Sequence, residues 1–237
     1  YTELIVLPAA TTMHATSAPA RELIRIEQHG AVLHLRLNRP AKRNALSDTL
    51  VGQLQAAMAD LPEATRAVVL SGEGDHFSAG LDLAELGERS VAEGVLHSRM
   101  WHAAFEQIEF GRVPVIAVLH GAVVGGGLEL ASSAHIRIAE RSAFYGLPEG
   151  QRGLFVGGGG SARIPRLIGT ARMADMMLTG RVYSADEGLA IGLSQYLVDD
   201  GAGLDEAFEL AAKVAANAPL SNFAVMHALP RIADQSQ

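Results

Sequence analysis

Residues 113–149 read VPVIAVLHGAVVGGGLELASSAHIRIAERSAFYGLPE, and the rest of the chain is interpreted as organised around them. It begins with a short apolar, β-branched run over residues 113–119, which is typical of a buried strand. Three glycines at residues 125–127 then let the backbone turn sharply and let other groups approach it closely. Residues 128–133 have helical composition, so the N–H groups of Gly126 and Gly127 are predicted to open a helix and attract negative charge.

One carboxyl stands out in this apolar stretch. Between Val113 and Ala134 the only titratable side chains are those of His120 and Glu129. A carboxyl in such surroundings is expected to be desolvated, which raises its pKa toward the range of general acid–base catalysis. The residues alone leave an alternative open, in which Glu129 only interacts favourably with the helix dipole in the first turn.

The composition restricts the class of protein. The chain has 237 residues, of which 49% are hydrophobic, enough for one large domain or two small ones with a sizeable core. The formal net charge of −7 argues against nucleic acid or an anionic membrane as the main partner. The lack of cysteine fits a reducing compartment, and we expect a cytoplasmic location. No apolar run approaches the roughly 20 residues that span a bilayer.

The sequence is interpreted as a single domain, because it contains no visible linker or internal repeat. Residues 1–20 are interpreted as a poorly ordered leader, since Glu3 is their only formally charged residue and a signal peptide needs a basic start. The predicted domain covers residues 21–237. Its core extends to about residue 190, and residues 191–237 form a C-terminal helical part.

An alternating pattern predicts a hairpin near the beginning of this domain, with strands at residues 23–27 and 31–37. In the second strand leucines alternate with polar residues, so His34 is predicted to be a solvated strand residue rather than a ligand. The sequence contains no His-Glu-x-x-His motif, and His97 and His102 do not share a helix face. No metal site is therefore predicted.

Two further glycine-rich segments are candidates for a site built from backbone groups. Residues 71–80 form a polar loop after the strand predicted at residues 67–70, where an ordinary surface turn is the alternative. Residues 156–161 read VGGGGS, which indicates close packing or ligand approach. The spacing of these glycines fits neither a dinucleotide-binding fingerprint nor a phosphate-binding Walker A loop.

Taken together, these stretches resemble the crotonase family, the enoyl-CoA hydratase/isomerase superfamily. The resemblance covers the chain from about Leu23 to its end. The segments that carry it are LNRPAKRNA at 37–45, FSAGLDL at 77–83, GGGLELA at 125–131, FYGLPE at 144–149, the glycines at 159–160 and LTGR at 178–181. Their order and spacing are specific for the superfamily and less specific for one reaction within it.

The resemblance implies an α/β fold in which repeated β-β-α turns form a spiral core followed by C-terminal helices. In this family those helices pack trimers and often pairs of trimers, so a homotrimer or a dimer of trimers is expected. The substrate is implied to be an acyl-CoA thioester, with no further cofactor because CoA enters as part of the substrate. The chain stops earlier than typical members, so its helical part is expected to be incomplete.

The resemblance also implies backbone donors for the substrate. In the family two backbone N–H groups hold the thioester carbonyl, and the motifs carry these roles to Ala79 and Gly126. Preorganised donors of this kind stabilise a developing enolate oxygen by several kcal/mol. The residues implied to lie along the CoA moiety or near the reacting water are Ala79, Gly80, Leu81, Asp82, Gly126 and Gly157.

Two carboxyls distinguish the hydratases of this superfamily, and both are present as Glu129 and Glu149. The resemblance implies that they grip one water, with Glu129 mainly activating it and Glu149 mainly delivering a proton to Cα. We therefore expect an enoyl-CoA hydratase, equivalently a 3-hydroxyacyl-CoA dehydratase. The alternatives are isomerisation, or thioester or C–C cleavage, in the same site. A non-catalytic acyl-CoA-binding protein is the alternative of another class.

Two residues depart from the family pattern. His135 stands where the family usually carries Asp, and a structural consequence near a strand start is expected rather than a catalytic one. Val156 stands where hydratases often have Pro before the glycines, which is expected to alter the acyl pocket.

Overall fold

The structure is a computed structural model that describes residues 22–85, 87 and 90–234. The predicted leader, residues 1–20, lies outside these residues. The strands are β1 (Ile24–His29), β2 (Val32–Leu37), β3 (Ala67–Gly72), β4 (Val115–Leu119), β5 (Ala122–Val124), β6 (Ile136–Glu140), β7 (Phe144–Gly146), β8 (Tyr183–Ser184) and β9 (Tyr196–Val198). The helices are α1 (Asp48–Ala59), α2 (Val91–Glu109), α3 (Gly126–Ser133), α4 (Gly160–Ile168), α5 (Thr170–Thr179), α6 (Ala185–Ile191), α7 (Gly203–Ala216), α8 (Pro219–His227) and α9 (Leu229–Ala233).

Two sheets organise these elements. The larger has the strand order β1-β2-β3-β4-β6-β9, with an antiparallel β1–β2 hairpin followed by parallel neighbours. The smaller has the order β5-β7-β8. The successive units β4-β5-α3 and β6-β7-α4 each place one strand in the large sheet and one in the small sheet before a helix follows. These are the expected β-β-α turns, and helices follow them toward the C-terminus.

Both faces of the large sheet are covered. Because side chains alternate between faces along a strand, parallel strands buried on both sides are apolar throughout. All residues of β4 are buried, which explains the uninterrupted apolar run that the sequence shows there. The main core lies between one face and helices α1 to α4, whereas α7 packs on the other face against β2, β3, β4 and β6. Among the described residues, no helix is both long and apolar enough to cross a membrane.

The burial of His34 contradicts the prediction of a solvated strand residue. Only 2% of the residue is exposed, its Nε2 lies 2.8 Å from Ser71 Oγ, and the ring of Phe208 on α7 meets it edge-on. Burial, assisted by the charge of Arg36, lowers the pKa of His34 to about 4. The alternation in β2 shows which residues share a face, but it does not show that α7 covers that face.

His135 has the structural role that its position at a strand start predicts. Its Nδ1 accepts the N–H of Val115 at 3.0 Å, and its Nε2 donates to the carbonyl of Glu109 at 3.0 Å. Burial lowers the pKa of this imidazole to about 4, so the ring is neutral and both of its nitrogens serve the backbone. His135 thereby ties the end of α2 to the start of β4.

Candidate active site

The three glycines before α3 shape the centre of the site. Gly125 has φ +55°, a region that other residues resist, and its N–H donates to the carbonyl of Gly146 on β7 at 2.9 Å. A Cβ added at Gly125 would lie 2.8 Å from Oε1 of Glu149. A Cβ at Gly127 would lie 2.5 Å from the carbonyl oxygen of Ser78. Glycine is therefore required here for both the turn and the close approach of neighbouring groups.

Glu129 lies in the first turn of α3 and is 4% exposed. Its Oε1 accepts two backbone N–H groups, from Gly158 at 2.8 Å and from Gly160 at 2.9 Å. Burial raises the pKa of this carboxyl, and the two N–H donors oppose the rise because they stabilise the charged form. Glycine at 160 is needed for this contact, since a Cβ there would lie 2.6 Å from Cγ of Glu129, and a Cβ at Gly158 would lie 2.8 Å from the ring of Phe105.

The glycine loop that holds Glu129 is itself held from two sides. Arg163 on α4 is buried, donates from Nη1 to the carbonyl of Gly158 at 2.9 Å, and forms an ion pair with Glu109 at the end of α2. Ser98 on α2 donates its hydroxyl to the carbonyl of Gly157 at 2.7 Å. These contacts fix the carbonyl groups of the loop, and the neighbouring N–H groups are therefore directed at Glu129.

Glu149 begins a 3₁₀ turn, Glu149–Arg152, shortly after β7. The residue is 9% exposed, and its Oε2 is buried without a hydrogen-bond partner among the described residues. Burial is the main cause that raises the pKa of Glu149 to about 7, and the carboxyl of Glu129 adds to the rise. The fold thus brings the two glutamates close enough to interact. One carboxyl is held by two donors, and the other has a free oxygen and a pKa near neutrality.

The expectation that Ala79 donates its N–H to a substrate does not fit the geometry and needs correction. This N–H donates to the carbonyl of Arg43 at 2.9 Å, so it is already used within the fold. The segment after it pairs with Leu46, whose N–H donates to Gly80 O at 2.7 Å and whose carbonyl accepts the N–H of Asp82 at 2.9 Å. In an extended segment successive N–H groups point to opposite sides, so the N–H between these two contacts points away from Leu46.

That intervening N–H belongs to Leu81. It makes no hydrogen bond to another described residue, and its nitrogen lies 3.6 Å from the position that a Cβ of Gly126 would take. The N–H of Gly126, in the first residue of α3, also lacks a partner among the described residues. Two backbone donors that are unpaired within the described part of the chain therefore lie side by side at the start of α3.

The other predicted binding residues are placed as follows. Gly80 has φ +87° and packs against the β5 end, where an added Cβ would lie 2.6 Å from the carbonyl of Val124. Asp82 pairs with Arg39 at 2.8 Å, and this hydrogen bond lowers the pKa of the Asp82 carboxyl. A Cβ added at Gly157 would make ordinary contact with Ser98 Oγ at 3.9 Å, so no close neighbour requires glycine at this position.

Comparisons with known proteins agree with this arrangement. A family model described as enoyl-CoA hydratase/isomerase matches residues 27–237. The chain is 34% identical over 199 residues to the short-chain-enoyl-CoA hydratase of Clostridium acetobutylicum, covering 83% of this chain and 76% of that protein. A crystal structure of a candidate enoyl-CoA hydratase from Rhodopseudomonas palustris CGA009 is 61% identical, with a TM-score of 0.89 over 90% of this chain and 83% of that one.

A second solved structure gives the same result. The enoyl-CoA hydratase from Bacillus anthracis is 32% identical, with a TM-score of 0.85 over 91% of this chain and 85% of that one. The chain belongs to the enoyl-CoA hydratase/isomerase family. The predicted superfamily, the crotonase-like α/β fold and the enzyme class, a hydro-lyase of the enoyl-CoA hydratase type, are confirmed.

Sequence reasoning missed three parts of the site. The N–H of Leu81 was hidden because a motif does not show which way a backbone group points. Arg163 and Ser98 were missed because they act on carbonyls of the glycine loop from two different helices. The only available signal was an arginine three residues after the glycine run, and the sequence alone gave no reason to single it out.

Proposed function

We propose that the protein adds water to the double bond of a 2-enoyl-CoA thioester through Glu129 and Glu149, and dehydrates the 3-hydroxyacyl-CoA in the reverse direction. The observation that carries this proposal is the pair of buried carboxyls in unequal environments. Two backbone donors hold Glu129, while Glu149 keeps a free oxygen and a pKa of about 7. Such a pair supplies a base and an acid at the same pH.

The proposed reaction uses both carboxyls and two backbone donors. The N–H groups of Leu81 and Gly126 donate to the thioester oxygen and stabilise the negative charge that develops on it. Glu129 accepts a proton from water while the water oxygen bonds to Cβ, and the double-bond electrons move toward the thioester. Glu149 then delivers its proton to Cα. The product is the 3-hydroxyacyl thioester, with Glu129 protonated and Glu149 ionised until the two exchange protons with solvent.

A panel of thioesters with product identification tests this function. We expect conversion of crotonyl-CoA to 3-hydroxybutyryl-CoA, and the reverse reaction when 3-hydroxybutyryl-CoA is supplied. Conversion of a 3-enoyl-CoA to a 2-enoyl-CoA without hydration would favour an isomerase, and release of free CoA would favour a thioester hydrolase. Binding of all thioesters without turnover would favour a non-catalytic acyl-CoA-binding protein.

The proposal includes no cofactor beyond the CoA carried by the substrate. The walls of the acyl pocket are proposed to come from α2 and from residues 154–156, because Ser98 of α2 contacts Gly157 directly after them. We also propose a cytoplasmic location, which the lack of cysteine in the sequence supports.

We further propose that the protein assembles as a homotrimer or a dimer of trimers. The last helices support this assembly because they expose several large apolar side chains. These are Leu220, Phe223, Val225, Leu229 and Ile232. Exposed apolar side chains clustered in this way mark contact surfaces. Light scattering at micromolar concentration is expected to give the mass of three or six chains, and a monomeric mass would contradict the proposed assembly.

A further inference from the structure

The hairpin at the edge of the large sheet brings together three side chains that can ligate a metal ion. Glu27 and His29 lie two residues apart on β1 and so share a face, and the strand register pairs Glu27 with His34 of β2. Each side chain offers one ligand atom, and these atoms all lie within 4.8 Å of one another. We propose that Glu27, His29 and His34 form a site for a divalent transition-metal ion of the zinc type.

The ligand set suits such an ion. Imidazole nitrogen and carboxylate oxygen are both common zinc ligands, and sites with three protein ligands leave a further position for water. Tetrahedral zinc with bonds of 2.0–2.1 Å places neighbouring ligand atoms about 3.3 Å apart. The pair His29 Nε2 and Glu27 Oε2 is already at 3.6 Å, and both side chains are half exposed. They can therefore rotate toward an ion.

His34 provides the fixed point of the site. Its Nε2 contacts Ser71 Oγ at 2.8 Å, which orients the ring, and the proposal assigns the other nitrogen, Nδ1, to the ion. A metal-binding histidine usually has its second nitrogen held by an oxygen in this way. The ring of Phe208 on α7 lies against both imidazoles, with centroids 4.9 Å from His29 and 5.7 Å from His34. This ring gives the site an apolar wall on the side of α7.

The position of the metal site indicates that a bound ion would stabilise the fold. His34 shares a face of β2 with Val32, which packs in the core formed with α7. Leu128 and Leu130, which flank Glu129 on α3, belong to the core on the other face of the sheet. A bound ion would fasten β1, an edge strand, to β2 without contacting the proposed hydration site. This inference therefore does not depend on the proposed reaction.

The test is Zn²⁺ titration of the tag-free protein by calorimetry after chelator treatment. We expect one ion per chain, and an absorption band typical of bound Co²⁺ when Co²⁺ replaces Zn²⁺. His29→Ala removes a half-exposed ligand. Loss of a group that only hydrogen-bonds to a ligand weakens metal affinity by roughly 10- to 100-fold, and His29→Ala is expected to weaken Zn²⁺ affinity by more than this. Ser71→Ala, which removes only such a group, is expected to cause a loss within that range. His227→Gln on α8 changes a histidine outside the site and should leave affinity unchanged.

Thermal unfolding provides a second measurement. Zn²⁺ is expected to raise the unfolding temperature of the wild type and of His227→Gln, because an ion that binds only the folded state stabilises it. It should not do so for His29→Ala, and crotonyl-CoA hydration by His29→Ala should equal that of the wild type. The proposal is overturned if the wild type binds no Zn²⁺, or if His29→Ala and Glu27→Gln bind it as tightly as the wild type.

Discussion

Replacement of Glu149 by glutamine is expected to lower the rate of crotonyl-CoA hydration by at least about 10²-fold, in the range that general acid–base catalysis supplies. Glutamine keeps the size and hydrogen-bonding capacity of the side chain but cannot deliver a proton. Glu129→Gln is expected to lose as much, because the attacking water then has no base. Steady-state assays measure both losses, with Glu209→Gln on the exposed face of α7 as the control.

The double variant distinguishes two carboxyls that act on one shared water from two carboxyls that act independently. If both carboxyls act on one water, Glu129→Gln combined with Glu149→Gln should be little slower than the poorer single variant, because residues that act as a unit are not additive. Exchange of the Cα proton in deuterated water should suffer most in Glu149→Gln. Near wild-type hydration by Glu129→Gln beside an inactive Glu149→Gln would contradict the two-carboxyl mechanism and favour a one-base isomerase.

The pH dependence of the same enzyme gives an independent check on Glu149. Hydration starts with Glu149 protonated and Glu129 ionised, and dehydration starts with the same single proton on Glu129. With the pKa of Glu149 at about 7, kcat/KM for hydration should fall as the pH rises through this value, because the pair then loses its proton. The overall reaction exchanges no proton with solvent, so kcat/KM for dehydration should fall over the same pH range. Glu149→Gln should lose this dependence, and a wild-type kcat/KM that stays constant or rises through pH 7 would rule out the assigned role.

The sequence was sufficient for the parts of the site that local patterns determine. The apolar run of β4, the glycine turn and the buried carboxyl of Glu129 are neighbours along the chain, and each has a direct physical reason for its position. The sequence does not by itself bring Glu149 to Glu129. Only the strand pairing of β5 with β7 places the residues after β7 beside the glycine turn.

The features that the sequence could not predict depend on packing between distant parts of the chain or on the direction of a backbone group. His34 alternates with leucines as a half-exposed strand residue would, and its burial comes from α7, which follows far along the chain. The cluster of Glu27, His29 and His34 depends on the hairpin register, which no spacing motif describes. The sequence also did not show that the N–H of Ala79 is used by the carbonyl of Arg43, since hydrogen bonding decides which N–H groups of an extended segment stay free.

The proposed donor role of Leu81 leads to the second large effect. Leu81→Pro removes the N–H of Leu81, and we expect it to lower kcat for hydration by about 10²- to 10³-fold, as the loss of one oxyanion donor does. The substitution should leave the fold intact, because this N–H has no partner among the described residues and no hydrogen bond of the fold is lost. The preceding residue, Gly80, is the type least restricted by a following proline.

Leu81→Ala is the matched control because it shortens the same side chain but keeps the N–H. The side chain of Leu81 packs partly buried against the main core, so both variants lose that packing, and their difference isolates the backbone donor. We expect Leu81→Ala to hydrate crotonyl-CoA within about 10-fold of the wild type, a smaller loss than that of one oxyanion donor. Circular dichroism and thermal unfolding establish that both variants are folded. If folded Leu81→Pro turns over as fast as Leu81→Ala, Leu81 is not the donor, and the thioester oxygen must be held by Gly126 with another group.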